Sequence, residues 1–264
     1  MSTDLRLYCM SGGSLTYDQS IFTFMHGFGI PRDVPTPVYL IDHPKGKVLY
    51  ETGLNPKLGT DPIGHWSKEE VEERKPRVDP EKTIDKELAA LGVSPKDIDY
   101  VVLSCLMYDH SGGMQLFPDS TFIVQHQEMQ DAWWPDRRFM RSYKDVEFVA
   151  TRHYNFLELH GDDYDIFGDG SVEVLFCPSH TRGEQAMVVR LPNTGTVMMP
   201  AGCIPQRINL EEDIMTGTPR AGPEATYASM ERLRRIIRRE DAMVLYHHDP
   251  EEWKTVKLAP EYYD

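Results

Sequence analysis

One short stretch of this chain carries four kinds of metal donor: Ser104-Cys105-Leu106-Met107-Tyr108-Asp109-His110-Ser111-Gly112-Gly113. Cys105 offers a thiol, Met107 a thioether, Asp109 a carboxylate and His110 an imidazole. Zinc accepts sulfur, nitrogen and carboxylate oxygen alike. A thioether suits a soft ion such as Cu(I) better than zinc. Three later segments add donors of the same types: Ser179-His180-Thr181, Ala201-Gly202-Cys203 and Tyr246-His247-His248-Asp249.

Such residues need rigid elements behind them. Leu5–Met10 alternates as a strand, and Gly12-Gly13 is then expected to turn the chain. Pro37–Asp42 and Lys47–Glu51 read as strands flanking the turn His43-Pro44-Lys45-Gly46. Ile84, Leu88 and Leu91 have helical spacing, and Gly92 stops that helix. Ser94-Pro95 starts another short one. Tyr100–Ser104 is a continuous apolar strand of the doubly buried kind, and the donor-rich stretch follows it directly. Thr121–Gln125 is a strand leading into a polar helix through Trp133 and Trp134. Val172–Phe176 delivers Pro178-Ser179-His180. Ala186–Leu191 and Thr196–Met199 form a hairpin pattern around Asn193-Thr194-Gly195. Thr226, Met230, Leu233, Ile236 and Ile237 share one helical face within Gly222–Glu240. Ala242–Tyr246 is the last strand. Strands that repeatedly end in ionisable residues, with helices between them, predict an α/β fold: a four-layer αββα sandwich with its site along one sheet edge. No repeat or linker divides the chain, so residues 1–264 are expected to form one domain. The irregular segments Tyr50–Arg77 and Gln206–Gly222 are long enough to be lids or pocket walls, with His65, Trp66 and Met215–Pro219 as candidate lining.

The composition narrows the class. The chain has 264 residues, 40% hydrophobic and 27% charged, with a formal net charge of −14. That acidity argues against nucleic acid and against an anionic membrane as partner, since both need a basic surface. No apolar run approaches a membrane-spanning length and no basic-then-apolar leader is seen, so a cytoplasmic location is expected. Four scattered cysteines, Cys9, Cys105, Cys177 and Cys203, are expected to be reduced thiols.

The motifs together resemble the metallo-β-lactamase superfamily. Glu51-Thr52-Gly53 resembles its D-T-G turn. Cys105-x-Met107-x-Asp109-His110 stands where the family has H-x-H-x-D-H. Ser179-His180-Thr181-x-Gly183-x-Gln185 is similar to its second histidine motif, Ala201-Gly202-Cys203 to its A-G-D turn, and Tyr246-His247-His248-Asp249 to its closing histidine, placed at His248. The ending Lys257-Leu258-Ala259-Pro260-Glu261-Tyr262 looks most like the N-acyl-homoserine lactonase branch. That branch has a tyrosine three positions after the bridging aspartate. Gln206 stands there in this chain.

The resemblance implies ligands and roles. One metal would take Asp109, His110, Cys203 and His248, a carboxylate, thiolate and two imidazoles that suit one zinc ion. The other site would fall to Cys105, Met107, His180 and Cys203, a soft set open to copper or a redox role, or else a packed thiol and thioether. His247 adjoins His248 and competes with it for the closing position. The other histidines carry no assigned role. The function implied is metal-dependent hydrolysis of a small ester, lactone or activated aryl ether, with Asp109 and His180 catalytic. The alternative is a non-catalytic or regulatory subunit beside an active homologue. The expected partners are a small-molecule substrate and a second chain, as homodimer or as hetero-oligomer with a homologue.

Overall fold

A computed structural model describes residues 4–137 and 139–264. Eleven strands among these residues form two sheets. The first contains β1 (Arg6–Asp18), β2 (Pro31–His43), β3 (Gly46–Tyr50), β4 (Tyr100–Val102), β5 (Thr121–Gln125) and β6 (Asn155–Leu159), in that spatial order. β1–β2 and β2–β3 are antiparallel, and β3 to β6 run parallel. The second sheet runs β11 (Met243–Val244), β10 (Gly195–Met199), β9 (Gln185–Leu191), β8 (Val172–Phe176), β7 (Tyr164–Asp165). Only β10–β11 is a parallel pair there.

Alternation along the strands builds the layers. In β2, Tyr39 and Ile41 face the second sheet, while Val38 and Leu40 face helices. In β9, Met187 and Val189 return the contact from the other side, while Ala186 and Val188 pack under Met230 and Leu233 of the helix Pro223–Glu240. Period-two patterning on both sheets thus gives three apolar layers and the four-layer αββα sandwich expected. Each large aliphatic side chain buried this way contributes roughly 1.5–3 kcal/mol.

The parallel pairs decide where the site lies. The C-terminal ends of β3 and β4 point to one edge of the first sheet, and those of β10 and β11 to one edge of the second. The segments following these strands are Glu51–Gly53, Leu103–Gly113, Ala201–Gln206 and Leu245–Asp249. Every donor-bearing motif except His180 lies in one of them, and His180 is carried by the β8–β9 connection.

Several elements differ from the sequence expectation. Gly12-Gly13 does not turn the chain. It makes a bulge inside a thirteen-residue strand, where the register shifts between Ser11 and Ser14. A bulge absorbs an extra residue while the strand continues, and glycine supplies the φ of +111° at Gly13. Tyr100–Ser104 shortens to Tyr100–Val102, because Leu103 and Ser104 already bend into the site. Ala242–Tyr246 pairs only at Met243–Val244. Ser94-Pro95 opens a single 3₁₀ turn, Pro95–Asp97, closed by a Ser94/Asp97 capping box. β6 and the two-residue β7 have weak alternation and were not expected.

Gly12 is where β1 touches the turn after β3. A Cβ there would lie 2.4 Å from the Thr36 carbonyl oxygen and 2.6 Å from Gly53 Cα. Neither backbone atom can yield cheaply. Gly12→Ala is expected to lower unfolding free energy by about 1–3 kcal/mol, measured as a shift in denaturant midpoint at constant m-value.

Candidate metal centre

The Glu51-Thr52-Gly53 turn clamps the donor-rich stretch. Thr52 N–H and Oγ1–H both donate to the His110 carbonyl, at 2.9 and 2.8 Å. Gly112 N–H donates to Gly53 O and Gly113 N–H to Thr52 Oγ1. Glu51 holds a left-handed φ of +67° and is fully buried. Its Oε1 accepts from Ser104 N–H at 3.1 Å. Its Oε2 lies 3.3 Å from His110 Nδ1 without forming a hydrogen bond.

Two imidazoles are oriented from behind. Ser104 Oγ is 3.1 Å from His110 Nδ1, and the Glu51 carboxylate stands beside it. His248 Nδ1–H donates to the Pro35 carbonyl at 3.0 Å. Both rings therefore turn Nε2 toward Asp109, whose Oδ1 is 3.8 Å from His110 Nε2 and whose Oδ2 is 3.9 Å from His248 Nε2. Ligands of one tetrahedral zinc, each at about 2.0–2.2 Å from the ion, sit about 3.3–3.5 Å apart. A carboxylate or carbonyl behind each Nδ1 is also how metal-bound histidines are held. The donor set thus fits a divalent cation.

A third imidazole joins them. His247 stacks on His110 with ring centroids 4.7 Å apart, and its Nε2 is buried without a partner. Among the described residues, one ligand atom each from His110, His247 and His248 come within 4.8 Å of one another. Asp109 faces His110 and His248 with different oxygens, so it borders this group from one side.

Burial sets the charges. It lowers His247 well below the usual imidazole range and brings His248 down to about 4, against the pull of Asp109. Both rings are neutral, with lone pairs to offer. Burial opposes ionisation of Asp109, but His110, His248 and the Tyr17 hydroxyl outweigh it and keep the carboxyl low. The Tyr17 hydroxyl donates to Asp109 Oδ2 at 3.0 Å and lies 2.9 Å from the Tyr108 hydroxyl.

The remaining expected residues lie elsewhere. Cys203 is buried in the apolar layer under the helix Pro223–Glu240, beside Cys177. The backbone of Gly202, not the Cys203 thiol, lines the cavity. Cys105 is buried beside His110, and burial pushes its thiol up to about 12. Met107 lines the cavity, and its Sδ accepts from Arg220 at 3.7 Å. His180 lines the same cavity. Its Nδ1 hydrogen-bonds Thr218 Oγ1 at 2.5 Å, and burial with the nearby Arg220 charge keeps it neutral. Among the described residues Cys105, His180 and Cys203 do not come together as a group of metal donors. Gln206 Nε2 donates to the His248 carbonyl and Oε1 accepts from Gln19, so it braces the closing turn.

The cavity above Asp109 has an empty volume of about 590 Å³ and includes Tyr17, Phe22, Thr216 and Arg220 in its walls. Of the expected lining, Thr216 and Thr218 reach it. His65 and Trp66 stand one shell back: Trp66 packs edge-on against Tyr108, and both donate to the buried Glu147 carboxylate. Sequence reasoning missed Tyr17, since a strand tyrosine carries no local signal of a site. It placed Glu51 in the D-T-G-like turn and Arg220 within the Gln206–Gly222 wall segment, without giving either a role in the site.

Comparison with known proteins agrees with this architecture. A family model described as the metallo-beta-lactamase superfamily matches residues 31–199. The N-acyl homoserine lactonase AttM of Azorhizobium caulinodans is 35% identical, over 99% of this chain and all of that protein. The N-acyl homoserine lactonase AiiA of Bacillus thuringiensis subsp. kurstaki is 26% identical, over 97% of this chain and 98% of that one. A solved N-acyl homoserine lactone hydrolase, with the product N-hexanoyl-L-homoserine at its catalytic metal center, superposes with a TM-score of 0.86 at 25% identity over the full length of both chains.

Glu147 tests how the wall behind Tyr108 is held. Asn55, His65 and Trp66 all donate to it, and its side chain is fully buried. Glu147→Ala leaves those donors without an acceptor. A loss of about 3–5 kcal/mol in unfolding free energy is expected, with a change in Trp66 fluorescence already in the native baseline.

Proposed function

The chain belongs to the metallo-β-lactamase superfamily, and from that premise we propose that it is a metal-dependent hydrolase that opens a small lactone. Its relatives are named as N-acyl homoserine lactonases. The single observation that carries the proposal is the paired orientation of His110 and His248, each fixed through Nδ1 with Nε2 facing Asp109.

Asp109, His110 and His248 would hold one divalent cation, zinc for preference, with His247 as the additional imidazole. His247 takes the place expected for the Cys203 thiolate, which lies buried in the apolar layer beside Cys177. A cation bound there supplies Lewis acidity, lowering the pKa of a water and polarising the acyl oxygen. Asp109 orients the attacking water, steadied by the Tyr17 hydroxyl on Oδ2. Neutral His180 accepts or relays a proton at Nε2, since Thr218 engages Nδ1. Phe22 and Met107 give the walls apolar surface for the body of the substrate. The emptied cysteine and methionine positions favour one metal over two.

The proposal treats residues 1–264 as one unit acting as a homodimer in the cytoplasm. Among the described residues no helix is long and apolar enough to cross a membrane.

Elemental analysis of the purified protein is expected to give about one zinc per chain. Asp109→Ala or His248→Ala should release it and lower lactone turnover by more than about 100-fold, beyond the 10–100-fold typical of outer-shell changes. Glu51→Gln should weaken metal affinity within that outer-shell range, and Cys203→Ser should leave it unchanged. Protein free of metal even after reconstitution would sink the hydrolase reading and favour a non-catalytic subunit. In a sedimentation run, monomer alone at micromolar concentration would remove the homodimer.

A further inference from the structure

The half of the site that lacks both leading histidines holds a fixed cation of another kind. Arg220 lines the cavity beside Met107 and His180. Its Nη1 donates to Met107 Sδ at 3.7 Å and its Nη2 to Ser142 Oγ at 2.8 Å, and its guanidinium lies 4.4 Å from the centre of the Phe139 ring. Its Nε is buried without a partner. Its charge is felt at His180, where it helps suppress protonation.

Other arginines in the chain show what such an edge is built to hold. Arg190 sets Nε and Nη2 on Glu240 at 2.8 and 3.1 Å. Arg182 grips Asp131 and Arg207 grips Glu252 through the same two nitrogens. Arg220 has a hydroxyl at Nη2 and nothing at Nε, and among the described residues it makes no ion pair with a carboxylate. A guanidinium held by a thioether, a hydroxyl and a ring leaves its forked edge unfilled by a carboxylate, although Asp131 and Asp136 lie near it. The nearby Asp131 is already occupied by Arg182. Asp109, on the floor of the same cavity, is engaged by Tyr17, His110 and His248.

We propose that Arg220, with the Ser142 hydroxyl, anchors the acyl oxygens of the substrate and binds the carboxylate formed when the ring opens. This rests on the lactone reading above. Water oxygen bonds to the acyl carbon, the ring C–O bond breaks, and the departing alkoxide takes up a proton. The product is a hydroxy acid that loses its carboxyl proton to solvent, leaving two equivalent oxygens for the guanidinium edge. Arg220 thus supplies the second positive centre that two-metal relatives would draw from a metal, and it does so without thiolate or imidazole ligands.

The test compares two ligands of nearly the same shape, one anionic and one neutral, 5-hydroxypentanoate and 5-hydroxypentanamide, by calorimetry on the protein as purified. The wild type is expected to bind the anion at least about tenfold tighter than the amide, the scale of a charge-assisted hydrogen bond. Arg220→Gln should abolish that preference and leave amide affinity unchanged. Arg220→Lys should restore part of it, since a point charge lacks the forked geometry. Amide binding doubles as the check that the variants are folded. A preference that survives Arg220→Gln, or a wild type without one, would overturn the proposal. Equal loss of both ligands would assign Arg220 a purely structural role and overturn it as well. If the wild type prefers the anion but hydrolyses no lactone, the lactone reading fails while the anion anchor stands.

Discussion

The buried carboxylate of Glu51 is the constraint on which the site depends. It sits in a left-handed turn where a non-glycine residue is strained, fully out of water. Such a charge is tolerated only with partners. Its partners are the Ser104 amide at the start of the donor-rich stretch and the His110 ring at its centre. Thr52 and Gly53 in the same turn bind the backbone on the far side of His110. One turn therefore sets both the path of the chain through Asp109 and the tautomer of His110. The antiparallel β2–β3 pair and the parallel β3–β4 pair place that turn beside the stretch it holds.

The two halves of the site have different physics. On the Asp109 side, burial strips protons from His247 and His248, while at His110 the neighbouring Cys105, Glu51 and Asp109 outweigh burial and hold the ring's pKa well above the usual imidazole range. A metal bound there would displace that proton. On the Met107 side, the donors are a protonated thiol and a thioether, and the positive charge is built in as Arg220. On one side the positive charge is an exchangeable proton, and on the other it is a fixed guanidinium. The half that carries Cys105 and Met107 is thus charged by a side chain of the protein itself, and it still lines an open cavity. His180, neutral between the halves and bonded to Thr218, belongs to both.

Much of this was legible in the sequence. The αββα layers followed from strands that alternate and strands that do not, and the order of motifs along the chain put their residues at strand ends. Asp109, His110, His180 and His248 could be named because residue type and spacing survive in those segments. Boundaries were less legible. Gly12-Gly13 reads as a turn because glycine pairs usually make one, but the hydrogen-bonding partner that keeps β1 extended comes from β2, far along the chain.

The sequence by itself determined the fold, the sheet edge that carries the site and the donors adjacent to each other in the chain. Periodicity and adjacency are local properties, and they survive translation into one dimension. Tertiary structure alone decided which donors face one another. Cys203 follows Ala201, whose φ is +47°, and ends beside Cys177 in the apolar layer, while His247 enters the site. Tyr17 reaches Asp109 across 92 residues, and Arg220 reaches Met107 across 113. The direction of a side chain at a turn depends on backbone angles and on neighbours distant in sequence, and neither is encoded in the spacing of residues.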